Sequence, residues 1–563
     1  MITIFLVNNM NHNFFTPEIL THFSSIIPDL CNSNIPIVLE KLIKNFNKPF
    51  IFNTAPSQLW YNWANSIGEK YSCISYSAGT TYFFQNQNPL KPPIAQIYSN
   101  SDFNTKIAKL PKYSITIPAQ GIRSALIIDD VQNPYALLGT FSYPQQGIPS
   151  STSLFRWDFL TNKLTRILTI DGSNSIRTII RYKKDDIDTI FFSTQEDLFI
   201  PNPSRIYTVP TSSTTLPDIS NQIKKFNLLD FQNKPIIGTV WDFSLDNDTI
   251  YISCPQGSLD QTKISGFAIK GRIFYQKISQ FLSNKSNINL ISLIGNDKYP
   301  AGFGIDNLST FQIQTSPCSN EIYIYSLSDF LYQSLAILQN PERIPIPPQS
   351  IPEIIQFLRK VASNIDLNGT RIFKINKNHL FKQNPPNITT ILGNAPKNTI
   401  NKSTTNNGNN NFLNVYTWQS TSYKKNIYFG TLDVRFPLWQ FIAQFIGQQL
   451  QNPQITQFLL KLPQPLIIIL TEFFLNQNFN FNTFIQTYFN KLLHFDILHY
   501  NTDTQKFLPI TVNGFASSKP LLPDDGVRNL DIINNCNGIY LLTGSTAYQP
   551  DNSAKLYTFQ IGQ

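Results

Sequence analysis

Charge is scarce in this chain. Only 14% of its 563 residues are Asp, Glu, Lys or Arg, against about 25% in an ordinary globular domain. A coiled coil needs abundant Glu and Lys, and a wholly disordered polymer needs high net charge with few aromatics, so neither fits. Histidine is nearly missing as well: His12, His22, His379, His494 and His499 are the full set. There is no HExxH, and no two histidines share a loop with a carboxylate in metal-ligand spacing, which argues against a zinc hydrolase. The five cysteines, Cys31, Cys73, Cys254, Cys318 and Cys536, are far apart and form no CxxC pair, so neither a disulfide framework nor a zinc site is indicated. Long apolar runs are also lacking. The longest, Pro465–Leu470 with its flanks, falls well short of the roughly 18 residues a membrane span needs. The short run Ile2–Val7 has no basic segment before it and no small-residue cleavage site after it, so it makes a poor signal peptide. GxSxG, P-loop and dinucleotide GxGxxG motifs are absent, and the net charge of +9 is not gathered into basic runs. The expectation is a soluble protein with no transmembrane segment, no metal, no cofactor and no nucleic-acid partner.

What the chain does have is apolar material, 41% hydrophobic and 13% aromatic, and it has it in repeats. Gly121-Ile122-Arg123-Ser124 is followed by ALLGT, Ser175-Ile176-Arg177-Thr178 by IFFST, and Gly526-Val527-Arg528-Asn529 by YLLTGS. In each, a small residue (Gly139, Ser193, Gly544) stands 16 after the arginine. Two short β-branched and aromatic runs at constant spacing read as strand, turn, strand. The same offset yields weaker copies: Ile237 to Ser253, Ser309 to Tyr325, Asn414 to Gly430 and Trp60 to Tyr76.

Each pair is followed by a third run and usually a fourth, as in LFRWDF from Leu154 and LTRILTI from Leu164. The other third runs are IAQIYS at Ile94, RIYTV at Arg205, ISGFAI at Ile264, RIFKI at Arg371, FDILHY at Phe495 and KLYTFQI at Lys555. Four short strands per unit, repeated around a ring, is the grammar of a β-propeller. The last unit ends at its third strand, and the one spare strand-like run is PFIFN at Pro49. An N-terminal strand that completes the C-terminal unit would close the ring and seal its edges.

The cycle GIRSALIIDD, YALLGT, LFRWDFLTNKLTRIL resembles a blade of the bacterial sensor-type and secreted propellers, whose repeats pass from Ile-Arg-Ser through Leu-Tyr-x-Gly-Thr to Arg-Tyr-Asp. Four units lack the arginine, and neither the Gly-His and Trp-Asp signature of WD40 blades nor a kelch double glycine occurs. The resemblance implies an all-β fold, a seven-bladed β-propeller with six blades as the alternative count, and a habit of binding. It does not imply a reaction, because such propellers host unrelated functions.

Domain organisation follows. Residues 1–47 form an N-terminal extension with helix candidates Pro17–Ile27 and Ile35–Phe46, and 48–563 form the propeller. Its long insertions, 327–370 and 432–494, both join a second strand to a third and so emerge on one face. The second insertion reads as proline-broken helices (FPLWQFIAQFIGQQLQ, ITQFLLKLPQPLIIILTEFF, FNTFIQTYFNKLLHF), with apolar residues at three-and-four spacing. It is expected to sit as a helical cap over the propeller mouth. Residues 396–411 are an Asn-rich loop.

One constellation is a candidate site. In a closed ring of seven, Arg528, Trp60, Arg123 and Arg177 fall in consecutive units, so three guanidinium groups and an indole would line one side of the mouth. Arginine's planar fork suits carboxylate or phosphate. The competing reading is architectural, with each arginine paired to a local carboxylate (Asp171, Asp433, Asp524 or Asp525) or to loop carbonyls at a blade junction. The preferred functional expectation is a non-catalytic propeller that binds a protein or glycan partner on the face framed by the insertions. The alternatives are a propeller hydrolase or lyase with an Arg-lined funnel for an anionic substrate, and a structural or surface protein of a virus or intracellular microbe, secreted or on the virion surface.

Overall fold

The computed structural model describes residues 52–53, 61–66, 73–79, 94–99, 113–116, 121–128, 131–141, 151–158, 160–161, 163–195, 202–259, 267–283, 286–304, 310–316, 318–327, 369–382, 385–405, 414–433, 495–511, 526–535, 538–547 and 555–562. The N-terminal helix candidates, Trp60, Asp524, Asp525 and nearly all of the two long insertions lie outside them.

Antiparallel pairing sorts the described strands into successive four-stranded meanders. The first comprises Tyr61–Ser66, Cys73–Gly79, Ile94–Ser99 and Tyr113–Thr116. The second comprises Gly121–Ile128, Tyr135–Phe141, Ser151–Asp158 and Lys163–Asp171. The third comprises Ser175–Lys184, Ile187–Gln195, Arg205–Pro210 and Lys224–Leu229. The fourth comprises Asp242–Asp246, Thr249–Ser253, Ile273–Lys277 and Ile291–Ile294. The fifth comprises Thr310–Thr315, Glu321–Leu327, Ile372–Asn376 and Thr389–Leu392. The sixth comprises Asn414–Tyr423, Asn426–Asp433, Ile497–Asn501 and Lys506–Thr511. The seventh, Gly526–Asn535, Gly538–Ala547 and Lys555–Gly562, takes its fourth strand from the other end of the chain: Phe52 pairs with Leu556 and Asn53 with Lys555. Neighbouring meanders touch through their first strands all the way round, and the seventh meets the first where Trp63 pairs with Thr546. This is a β-propeller, and the meanders are its blades.

The core lies between blade faces. Ile190 and Phe192 face the second blade, packed with Tyr135, Leu137 and Leu154, while Phe191 between them faces Phe243, Ile250 and Phe274 of the fourth. The fourth and fifth blades meet through Tyr251, Ile273, Phe311, Ile322 and Phe373, the fifth and sixth through Tyr323, Phe429 and Tyr500, and the sixth and seventh through Tyr428, Ile497, Val527 and Leu541. A strand buried on both faces has no polar side to alternate with, which is why these runs read as continuously apolar. Full burial of one such side chain is worth about 1.5–3 kcal/mol.

Two sequence expectations shift. The third strand of the fourth blade is Ile273–Lys277, not the run from Ile264: the second half of that run falls in an inserted hairpin, Gln256–Leu259 paired with Phe267–Lys270. Its apolar content matches a blade strand, so composition alone did not separate the two. The four weak repeat copies are also out of register. Ser253 pairs with Asp242, Tyr325 with Gln312, Gly430 with Gln419 and Tyr76 with Ala64, so the second strands were placed correctly but the residue 16 before is not the counterpart of the arginine.

The two ends of the ring differ. Second-to-third connections and the beginnings of the first strands share one face, and both long insertions leave from it, after Leu327 and after Asp433. On the opposite face the first-to-second turns of the third, fourth and sixth blades are tight. Asp185, Asn247 and Lys424 take left-handed φ values of 51, 50 and 51° in two-residue hairpins, the backbone that such turns need to match strand twist.

Candidate functional site

Arg123, Arg177 and Arg528 each occupy the third position of a first strand, and each is skipped by the pairing register. Ile122 pairs with Thr140 and Ser124 with Gly139, Ile176 with Thr194 and Thr178 with Ser193, and Val527 with Ser545 and Asn529 with Gly544. All three arginines therefore sit in β-bulges, the device that re-aims a side chain out of the pleat. Their backbones begin on the insertion face.

The register supplies further members of this layer. Trp418 is bulged in the same way between Thr417 and Gln419. Gln312 stands two residues after Thr310, which pairs with Leu327 as Gly121 does with Phe141. Trp241 donates its backbone N–H to Ser253 one strand over, at 2.8 Å. The spacing search missed these residues because their interval to the second strand is shorter: Trp241 to Ser253 and Trp418 to Gly430 span 12 residues, and Gln312 to Tyr325 spans 13. A search for an aromatic or polar residue ahead of the small one, with the hairpin length left free, would have found the two tryptophans.

Contacts tie the layer together across the axis. The Arg177 guanidinium lies 3.5 Å from the centre of the Trp241 ring, its Nε donates to the Trp241 carbonyl at 2.5 Å, and its Nη1 donates to Gln195 Oε1 at 3.0 Å. Trp241 Nε1 donates to the Tyr416 hydroxyl at 3.2 Å, bridging the fourth and sixth blades. Tyr416 stacks on Trp418, with ring centres 5.9 Å apart, and Trp418 carries the Arg528 guanidinium 5.3 Å from its centre. Arg528 Nη2 donates to the Arg123 carbonyl at 3.3 Å, and Gln312 Nε2 donates to the Trp418 carbonyl at 3.1 Å. Arg177 and Arg528 are buried and Arg123 is half-buried. Among the expected carboxylate partners, Asp171 is exposed at the end of a fourth strand.

Burial pushes the Tyr416 hydroxyl above its ordinary pKa, and the charges of Arg177, Arg123 and Arg528 all act against that rise, with Trp241 helping as donor. All three arginines thus converge electrostatically on one phenol. The acid beside them is Asp242. Its carboxylate accepts from the Ile313 N–H at 3.0 Å and from the Thr178 hydroxyl at 3.4 Å. Desolvation raises its pKa to about 6, opposed by the Ile313 N–H, Arg177, the Phe243 N–H and Thr178. Because the folded state holds this proton more tightly than the unfolded chain, its contribution to stability is complete below the ordinary carboxylate pKa and is lost as pH rises through about 6. Asp242→Asn removes the titration. Between pH 4 and pH 7 the variant is expected to gain on the parent by up to about 3 kcal/mol, two pKa units at 1.36 kcal/mol each. Denaturant melts across that range check it, and a pH-independent difference would refute it.

A second arginine set escaped the sequence reading. Arg205, Arg272 and Arg371 each stand at or just before a third strand, in RIYTV, RIFYQ and RIFKI. Arg272 donates to the Cys254 carbonyl at 3.1 Å and to the Ile237 carbonyl. Arg371 is fully buried, and desolvation lowers its pKa to about 10. The Arg-Ile-aromatic triplet was the available signal. Arg272 ties loop backbone together, as a strut does.

No protein-family model matches the chain, and no curated protein does. Among solved structures it is similar to the tricorn protease at 12% identity and TM-score 0.34, over 92% of this chain and 34% of that one. It is also similar to the Dos1 propeller at 7% and 0.37, over 88% and 78%. A third is the GH93 α-L-arabinofuranosidase of Fusarium graminearum in complex with arabinobiose, at 9% and 0.36, over 69% and 93%. The chain spans about a third of the tricorn protease's length. The propeller assignment rests on the strand pairing itself.

Proposed function

We propose that this chain is a non-catalytic propeller that holds a protein or glycan partner on the face from which the long insertions leave. The carrying observation is where the two long insertions leave, after Leu327 and after Asp433, both on the face where the first strands begin. Surface connections of a rigid scaffold tolerate length and carry recognition. The apolar insertion 432–494 is then the partner's main contact, framing a mouth whose floor is the Arg123, Arg177 and Arg528 layer.

The enzyme reading has one observation in its favour, a carboxyl with a pKa near neutrality beside Arg177. A hydrolase or lyase would use Asp242 as its acid and the arginines to orient an anionic substrate. One experiment separates the two. Immobilised acidic and neutral polysaccharides are probed for retention of the protein, and the same polymers in solution are assayed for new reducing ends and for unsaturated products. Retention without cleavage is expected. Exchange of residues 436–493 for a short Gly-Ser linker should abolish retention and leave the melt within a few degrees, since closing a loop of different length costs only about 0.6 kcal/mol per doubling. Cleavage products would establish the enzyme reading, and retention by the linker variant equal to the parent's would remove the insertion from the binding face.

A further inference from the structure

The last strand of the third blade, Lys224–Leu229, does not run straight on to the fourth blade. It turns back in a small hairpin, where the Ile236 N–H donates to the Leu228 carbonyl at 2.8 Å and the Asp230 N–H to the Lys234 carbonyl at 2.9 Å. The tip, Phe231-Gln232-Asn233, is held by its own neighbours. The Asp230 carboxylate accepts from the Gln232 and Lys234 N–H groups at 2.8 and 2.9 Å, and the Asn233 N–H closes onto the Asp230 carbonyl at 3.0 Å. Asn233 takes a left-handed φ of 61°, which asparagine tolerates better than most residues. One outside contact pins the tip: Asn289 Nδ2 donates to Asn233 Oδ1 at 2.7 Å, from the strand Asn287–Asn289 that pairs with Lys224–Leu229.

Phe231 is 72% exposed on this tip, the most exposed large hydrophobic side chain among the described residues. A single exposed apolar side chain is ordinary, but this one stands among unspent polar groups. The Gln232 amide is exposed and its side chain makes no hydrogen bond among the described residues. The Asn233–Asn289 pair spends one donor and one acceptor whichever way the two amides are turned, and each keeps hydrogen-bonding capacity to spare. These groups are close together by covalent structure. Asp230 to Asn233 is one hydrogen-bonded turn, whose ends lie within about 7 Å of each other, and Asn289 touches its last residue.

We propose that the Phe231 hairpin binds a neutral glycan of all-equatorial sugars, with the C–H face of one sugar residue on Phe231 and its hydroxyls on Gln232, Asn233 and Asn289. An aromatic ring takes the apolar face of the sugar. A hydroxyl both donates and accepts, and so does an amide, so each can satisfy the other. The hydrogen-bonded backbone of the tip is ordered before anything binds, which lowers the cost of binding. A protein partner suits the hairpin less well, because the centre of a protein interface gathers several apolar side chains and the neighbours of Phe231 in the tip are amides. This goes beyond partner docking by the insertions and does not depend on it.

The test is a saturation-transfer NMR titration of the full chain with cellotetraose, whose sugar rings present only C–H bonds on their faces. A dissociation constant of about 1 mM is expected, in keeping with one stacked ring and a few hydrogen bonds. Phe231→Ala should weaken binding at least about tenfold, and Phe231→Trp, with its larger face, should match or exceed the parent. Gln232→Ala should cost about threefold, one hydrogen bond between neutral groups. Lys234→Ala should change nothing, since the sugar carries no charge. All these positions are exposed, so the variants should melt with the parent. Exchange of residues 436–493 for the linker should leave the titration as it was. A contact this weak does not retain the protein on an immobilised polymer, so retention and titration report on different sites. No saturation transfer to cellotetraose, undiminished affinity in Phe231→Ala, or a loss in Lys234→Ala as large as in Phe231→Ala would overturn the proposal. So would a protein partner released by Phe231→Ala when the parent binds no oligosaccharide, which would assign the hairpin to protein docking.

Discussion

Deletion of residues 1–55 is expected to leave a chain that folds poorly and aggregates, while deletion of residues 1–47 leaves it close to the parent. The difference between the two truncations is the segment that holds Phe52 and Asn53, which pair with Leu556 and Lys555. The strand Lys555–Gly562 is the third of its blade, and without the N-terminal segment its outer side is a row of unpaired N–H and C=O groups, a template for association. Backbone hydrogen bonds worth about 1 kcal/mol each net, and the covalent tie between the first and last blades, go together. The remaining strand pairing between those blades, among the described residues, is the short register of Asn62 and Trp63 against Ala547 and Thr546. The expected loss is on the order of 3–5 kcal/mol, read as a denaturant midpoint alongside light scattering. Equal midpoints for the two truncations would mean that the ring does not need this closure.

The closure was legible because it follows from counting: a last unit one strand short and a spare strand-like run at the other end leave little choice. The three arginines were legible for the same reason, since the interval to Gly139, Ser193 and Gly544 is constant. What the sequence hid was the remainder of their layer. Trp241, Gln312 and Trp418 stand 12 or 13 residues before the second-strand position rather than 16, and a fixed interval steps over them and over Tyr416 beside Trp418. Tyr416 was further hidden because its surroundings come from other blades: Trp241 of the fourth donates to it, and the charges of Arg123 of the second and Arg528 of the seventh act on its hydroxyl. Contacts across an axis join residues hundreds of positions apart, as Arg528 and Arg123 show, and local pattern carries no trace of them. The inserted hairpin in the fourth blade misled for a simpler reason, since its apolar content is that of a blade strand.

Gly430→Ala is expected to destabilise the protein by about 3 kcal/mol or more, at the upper end of what overpacking costs. The small residue at this place in the repeat, in arginine-bearing units and in the sixth alike, has a physical task. A Cβ built on Gly430 runs into the Cβ and Cγ1 of Val527, and one built on Gly139 comes within 2.7 Å of Ile176 Cγ2. In both cases the second strand of one blade presses against the β-branched residue just before the arginine in the next. That residue cannot yield: Val527 and Ile176 are fully buried, and β-branched side chains are stiff at χ1. Any relief must come from moving one blade against its neighbour, which disturbs the bulge that aims Arg528 or Arg177. Another copy of the position provides a control. Ser193 already carries a Cβ, and its buried hydroxyl has no hydrogen-bond partner, so Ser193→Ala should change stability by less than about 1 kcal/mol. Denaturant midpoints of Gly430→Ala, Val527→Ala and the double variant locate the effect. The double variant should recover part of the loss, with a coupling of about 0.5–3 kcal/mol of the sort seen between residues in contact. A harmless Gly430→Ala, or a double variant whose losses simply add, would show that the blades do not meet where the repeat places its glycine.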